Sequence, residues 1–208
     1  MSWLQGGPFL ELSFIFNEST NIENVISKLN NTNVKIEVHN SPEYIQQFFE
    51  GYPYDEDDLH SVMMHRIEIN LTVHTTRQRR ALLFVEKISS ELLSFSMCFF
   101  GAKYDAPEWN QPGIRDDELD EFICLLISLY RELKFSVGGL AIEEDMKGLF
   151  DVNEVWSNEK YKFANLTFKD NLHKFQAILI NQSLNEKLPE GQYTLIDNSC
   201  MLYRNALN

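Results

Sequence analysis

RIEINLTVHTTRQRRALLFVEKISSELLSFSMCFF, residues 66–100, is the stretch whose reading decides the fold. Its first part alternates, with Ile67, Ile69, Leu71 and Val73 on one side of an extended chain and Arg66, Glu68, Asn70, Thr72 and His74 on the other. A period of two is the pattern of a strand with one buried face. Beyond it, Thr75 or Thr76 is in place to cap a helix. Ala81, Phe84, Val85, Ile88 and Leu92 then recur at helical spacing, which predicts a helix as far as about Leu93. Residues 95–100 supply a further strand, stopped by Gly101.

Working back towards the start, Leu10, Leu12, Phe14 and Phe16 share one face of a strand over residues 9–16, with Glu11 and Ser13 on the other. Ile22, Val25, Ile26 and Leu29 mark a helix that the NNTN run at residues 30–33 ends, and Val34, Ile36 and Val38 mark a second strand. Ser41 as cap and Pro42 at the first helical position open a short helix through Phe49, closed by Gly51 and Pro53. An acidic loop, residues 54–58, follows. Taken in order, residues 9–101 give strand, helix, strand, helical insertion, strand, helix, strand. That is the βαββαβ order of a ferredoxin-like unit, in which the first and third strands are central neighbours.

Residues 102–114, AKYDAPEWNQPGI, lack periodicity and read as a connection. Leu119, Phe122, Ile123, Leu126, Ile127, Tyr130 and Leu133 then predict a long amphipathic helix, with Asp116, Asp117 and Glu118 suited to its N-terminal dipole. After it Gly138-Gly139 precedes a strand over LAIEED, followed by a short helix over 153–161 and short strands at 163–168, 175–180, 193–196 and 201–203, joined by turns at 170–171, 189–191 and 197–198. The expectation is an α+β protein. A ferredoxin-like unit (1–101) and a connection (102–114) precede a helix with an antiparallel β meander (115–208), packed together as one compact protein.

Composition narrows the function classes. With 18 Lys and Arg against 31 Asp and Glu in 208 residues, the formal charge of −13 repels nucleic-acid phosphates and anionic lipid. A basic protein partner fits better than nucleic acid or membrane. The longest apolar run, residues 122–129, is far short of the roughly 20 residues a spanning helix needs. Cys98, Cys124 and Cys200 form no CxxC pair and sit among apolar neighbours. They read as free, buried thiols of a cytoplasmic protein.

Two groups of residues have site chemistry. The block HTTRQRR, residues 74–80, stands where a strand gives way to a predicted helix, so backbone N–H groups with Thr75, Thr76, Arg77, Arg79 and Arg80 form a candidate anion site. The competing reading neutralises these arginines with the chain's own acids, residues 55–58 among them. The second group is the open sheet face, Glu11, Glu37, Glu68, Asn70 and His74. Under ferredoxin-like order Glu11 and Glu68 lie on adjacent strands, and two carboxylates that close raise one pKa, as acid–base catalysis requires.

Metal spacing is absent. Counted as a calcium loop from Asp55, the sixth residue is His60 and the twelfth Arg66, where Gly and Glu are needed. His60 and His65 are not at HExxH spacing. No cofactor motif is present, and no residue is assigned a catalytic role. Trp109 and Trp156, in polar surroundings, are candidate interface anchors. The reading that results is a non-enzymatic binding, inhibitory or immunity-type module for a basic partner. The alternative is a small-ligand-binding protein or enzyme that uses the open face (Glu11, Glu68) or the corner from His74 to Arg80.

Overall fold

The computed structural model describes residues 2–58, 60–150, 161–168, 171–188, 193–197 and 199–205. It is an α+β structure built on one antiparallel sheet. The chain forms β1 (Phe9–Asn17), α1 (Ile22–Lys28), β2 (Lys35–Val38), α2 (Pro42–Glu50), a small ribbon of β3 (Tyr52–Pro53) and β4 (Met63–Met64), then β5 (Arg66–His74), β6 (Gln78–Lys87) and β7 (Leu92–Phe100). There follow α3 (Leu119–Leu133), β8 (Val137–Ile142), β9 (Phe175–Asn181), β10 (Tyr193–Ile196) and β11 (Cys200–Arg204). Nine strands hydrogen-bond in the order β10-β11-β9-β8-β1-β7-β6-β5-β2, while β3 and β4 pair only with each other.

The predicted helix from Thr75 to Leu93 is instead β6 and the turn after it, and this correction removes the ferredoxin-like order. Arg79, Ala81, Leu83 and Val85 are all buried on one side of β6, a period of two that the helical reading passed over. Leu82 and Phe84, on the other side, also pack against apolar neighbours. With apolar residues on both faces, the stretch fits a helical period as well as a strand period, and pairing with β5 from His74–Gln78 to Arg66–Glu86 decides between them. Ser89 settles the end of β6. Its Oγ accepts from the backbone N–H groups of Glu91 and Leu92, both at 3.1 Å, so it forms a turn rather than a helix interior.

The first and third predicted strands, β1 and β5, are consequently separated by β7 and β6. β1 pairs with β7 on one side and with β8 on the other, so one sheet passes through both 1–101 and 115–208. Its helix-covered face carries Leu10, Leu12, Phe14 and Phe16 against Phe95, Phe135 and the buried side of α3, with α1 and α2 contributing Val25, Ile26, Ile45 and Phe48. Gly138 belongs to this packing. A Cβ there would lie 2.6 Å from the Phe135 ring and 3.1 Å from Phe14 Cβ, so the glycine pair serves close strand packing.

The other face is covered in two places. Met146, Leu149, Phe150, Leu166 and Phe168 pack over Ile15, Val137, Ile178 and Ile180, and Leu4, Ala102 and Ala106 pack over Cys98 and Phe100. Residues 163–168, expected as a strand, form a 3-10 turn at Phe163–Asn165 and a single bridge from Leu166 to Phe150. The helix expected over 153–161 and the turns at Asp170, 189–191 and Asn198 fall wholly or largely outside the described residues. Cys98 and Cys200 are buried, but Cys124 is exposed, because α3 turns that position away from its apolar face.

Candidate functional site

Alternation along β1, β5 and β2 brings Glu11, Glu37, Glu68, Asn70 and His74 to one face of the sheet, as the strand periods predict, but it does not bring them together. Glu11 stands opposite Cys98 of β7, and Glu68 opposite Phe84 of β6. Three strand spacings lie between β1 and β5, about 14 Å of sheet. The carboxylates therefore do not form a pair.

The companions of Glu11 come from elsewhere in the chain. Ser96 Oγ donates to Glu11 Oε2 at 3.0 Å, and the same hydroxyl lies 3.9 Å from Cys98 Sγ. The turn after β8 brings in Lys147, whose Nζ lies 2.6 Å from Glu86 and 3.2 Å from Asp145, while Ser13 Oγ accepts from the Met146 N–H at 3.0 Å. Burial raises the Glu11 pKa, against the lowering effect of the Ser96 hydrogen bond, and the charges of Asp145 and Glu143 raise it further. Burial also pushes the Cys98 thiol up to about 12, with the Glu11 charge adding to it. For Lys147, burial acts downward, but Asp145 and Glu86 outweigh it and hold the ammonium above the usual lysine range. At neutral pH the row thus holds a protonated thiol and a protonated amine, neither of them a nucleophile.

Farther along the same face, His74 Nε2 is 3.3 Å from Glu37 Oε1, and Thr72 Oγ1 is 2.7 Å from His39 Nε2. Glu68 pairs with Arg66 at 3.5 Å, and the Asn70 backbone N–H donates to Asn40 Oδ1 at 2.6 Å. Trp3, which the sequence did not single out, crosses this region. Its Nε1 donates to the Leu71 carbonyl at 3.0 Å, its ring lies 4.8 Å from that of His39, and the Arg80 guanidinium stands 5.0 Å above it.

The HTTRQRR block is a strand-to-strand turn, and the period of two divides its arginines. Arg77 and Arg79 reach towards α3, whereas Arg80 is on the opposite face, donating to the Trp109 carbonyl at 3.4 Å. Arg77 Nε and Nη2 each donate to Glu118 at 2.7 Å, and its Nη1 donates to Asp105 at 2.8 Å. Arg79 is 2% exposed. It donates to the carbonyls of Pro112 and Gly113 at 2.9 Å, lies 3.0 Å from Glu118 Oε1, and covers the Phe122 ring at 5.4 Å. Thr75 Oγ1 accepts from Arg79 Nε at 3.3 Å, and the Thr76 backbone N–H donates to Glu121 at 3.0 Å. Three carboxylates of the chain, Glu118, Asp105 and Glu121, thus occupy this corner.

Burial pushes the Glu118 pKa up, but the Arg77 hydrogen bonds, the Arg115 backbone N–H and the charges of Arg79 and Arg77 more than reverse this and hold it at about 2. The acids of residues 55–58 are not the complement. Glu118 and Asp105 are, and the cue available in the sequence was the acidic cluster at 116–118.

Trp109 is half-buried beside the Leu4 and Phe100 cluster, with its ring against Gly6, so it is not a freely presented anchor. Gln111 fastens the same region. It exchanges two hydrogen bonds of 2.7 Å with the backbone of Gln5. Trp156 lies outside the described residues. Among the described residues, no group of three or more His, Cys, Asp or Glu is arranged to hold a metal ion, and no helix is long and apolar enough to cross a membrane.

No protein-family model and no curated protein matches the chain. Among solved structures it is similar to the Pseudomonas aeruginosa T6SS protein PA0821, at 12% identity and a TM-score of 0.37. That alignment covers 93% of this chain but 64% of the other, so the chain spans less than two thirds of that protein's length. The likeness is too slight to carry function from one protein to the other.

Proposed function

We propose that this chain is a non-enzymatic binding protein of the inhibitory or immunity type, which recognises a basic protein partner through its acidic surface. The observation that carries this reading is the fate of its cations. Arg77 and Arg79 are held by Glu118, Lys147 by Glu86 and Asp145, Arg131 by Asp197 and Arg204 by Asp120. With these basic groups engaged inside the chain, the surplus of 31 acids over 18 bases is left to face outward. A surface of one sign speeds encounter with a partner of the other and repels nucleic acid and anionic lipid.

The chemistry of the open face supports the non-enzymatic side of this reading, since Cys98 and Lys147 are both held protonated at neutral pH. The alternative, a ligand-binding protein or enzyme, has less support. Catalysis by Glu11 with Glu68 requires two carboxylates brought close, and an external anion at the arginine corner must displace Glu118. Three free cysteines are in keeping with a reducing, cytoplasmic setting.

The test is direct. The immobilised chain is used to capture proteins from its source cell at low salt, and a captured basic protein is purified and titrated against the chain at rising ionic strength. A one-to-one complex that weakens steadily with salt is expected. Failure of every captured protein to bind when purified, or an affinity that ignores salt, overturns the reading.

A further inference from the structure

Eight large apolar side chains are exposed among the described residues, and five of them fall in one fifteen-residue stretch: Phe49, Tyr52, Tyr54, Val62 and Met63. The other three, Tyr104, Ile142 and Leu195, are far apart in sequence. Single exposed apolar residues are ordinary, whereas a concentration of them marks an interaction surface. Phe49 is 54% exposed in the last turn of α2, Tyr52 and Met63 are 47% and 49% exposed on the β3–β4 ribbon, and Val62, just before β4, is 59% exposed.

The ribbon is not covering the core. It forms no part of the nine-stranded sheet, and it is apolar on both of its faces. Tyr52 opposes Met64, and the Tyr54 N–H donates to the Val62 carbonyl at 2.9 Å, so Tyr52, Tyr54 and Val62 share one side; Met63, opposite Pro53, is on the other. A lone two-stranded ribbon gains little stability by itself. Asp55, Glu56, Asp57 and Asp58 stand fully outward in the loop between its strands, and none of the described lysine or arginine ion pairs involves them.

The ribbon is also held in a set position. Gly51 leaves α2 at φ 64°, and a Cβ there would lie 2.8 Å from both the Met64 carbonyl oxygen and the His65 ring. His65 Nδ1 is 2.9 Å from the Phe48 carbonyl. Helix end and ribbon thus meet in one corner, with apolar side chains on both sides of the ribbon and the acids at its tip.

We propose that this corner, formed by the end of α2 and the β3–β4 ribbon, is the docking surface for a protein partner that presents an apolar centre ringed by lysine and arginine. The proposal rests on the binding reading above and gives it a location. The apolar residues supply the desolvated middle that carries most binding energy, and the residues 55–58 select a cationic rim.

The probe is an amphipathic leucine–lysine peptide, compared with a lysine-only peptide of equal charge, each titrated into the full chain with backbone amide NMR as readout. The amphipathic peptide is expected to shift amides at 49–52 and 55–63, and to bind at least about tenfold more tightly than the lysine-only one. The double substitution F49S/M63S is expected to weaken it about tenfold with an unchanged melting curve, since both side chains are exposed. Replacing the four acids by their amides is expected to weaken the salt dependence, the rest of the acidic surface keeping a part of it. Binding that shifts amides elsewhere and ignores F49S/M63S overturns the corner while leaving the acidic-surface reading intact, and absence of binding by either peptide overturns both. Concentration-dependent dimerisation abolished by F49S/M63S assigns the corner to a second copy and also overturns the proposal.

Discussion

Replacing Glu118 by glutamine keeps the shape of the side chain but removes the charge that closes the arginine corner. The native carboxylate receives two hydrogen bonds of 2.7 Å from Arg77 and one of 2.8 Å from the Arg115 N–H, and lies 3.0 Å from Arg79. Glutamine has one acceptor oxygen and turns an NH₂ group towards guanidinium. Arg79, 2% exposed, is then a buried charge without its counterion, a loss of about 3–5 kcal/mol for a pair broken on one side. The pKa gives a similar size. The distance from an ordinary 4.5 down to about 2, at about 1.4 kcal/mol per pH unit, is about 3 kcal/mol.

Because the folded value lies below the unfolded one, this stabilisation is complete above pH 4.5 and is lost as pH falls through about 2. Urea denaturation of both proteins from pH 7 down to pH 2 reads it out. The expected gap is about 3 kcal/mol at neutral pH, closing across the acid range with little change in denaturant slope. Sulfate provides a second reading. It should raise the melting temperature of Glu118→Gln, whose arginines are left without their carboxylate, by more than the general salting-out rise seen for the native chain. A gap under about 1 kcal/mol at pH 7, or one of the same size at pH 2, refutes the reasoning.

Other consequences can be measured as directly. Gly138→Ala places a methyl group against Phe135 and Phe14 and should lower stability by about 1–3 kcal/mol in the same urea assay. A thiol reagent at pH 7 should label Cys124 of the folded chain rapidly and spare Cys98 and Cys200, whose pKa values burial pushes up to about 12 and about 11; all three should react in denaturant. Glu11 has its pKa raised, so its ionised form is disfavoured by the fold, and its contribution is lost as pH climbs past the ordinary carboxylate range. Glu11→Gln should therefore melt higher than the native chain at pH 7 and with it at pH 4. A lower melting temperature at pH 7 contradicts the assignment.

Local periods were legible where only one of them fitted. β5 alternates cleanly, β1 alternates from Leu10 to Phe14 before Ile15 adds an apolar residue on the other face, and α3 has an apolar stripe bounded by acids. β6 satisfies two periods at once, because Leu82 and Phe84 pack on one side and Ala81, Leu83 and Val85 on the other, so a helical subset can be drawn through it. The face on which Glu11 stands could be read from β1 alone. Its neighbours could not, since Ser96 and Lys147 arrive through pairing that no local pattern encodes. The arginine corner illustrates the same limit. That acids would neutralise Arg77 was arguable from charge, but that Glu118, 41 residues away, would do so depends on where α3 crosses the sheet.

The place of β1 in the middle of that sheet has a consequence for biosynthesis. Of the strands in this sheet, β1 is made before the others, and it finds its hydrogen-bonding partners only when residues 92–100 and then 137–142 have been made. Until then FLELSFIFN, whose inner side chains are fully buried in the finished fold, is an apolar segment without a partner. Contacts of such long sequence separation make for slow folding and a long exposure to aggregation. The nascent chain should therefore be a client of chaperones that hold extended apolar segments, and fragments ending before residue 142 should accumulate as insoluble material rather than as a smaller folded core.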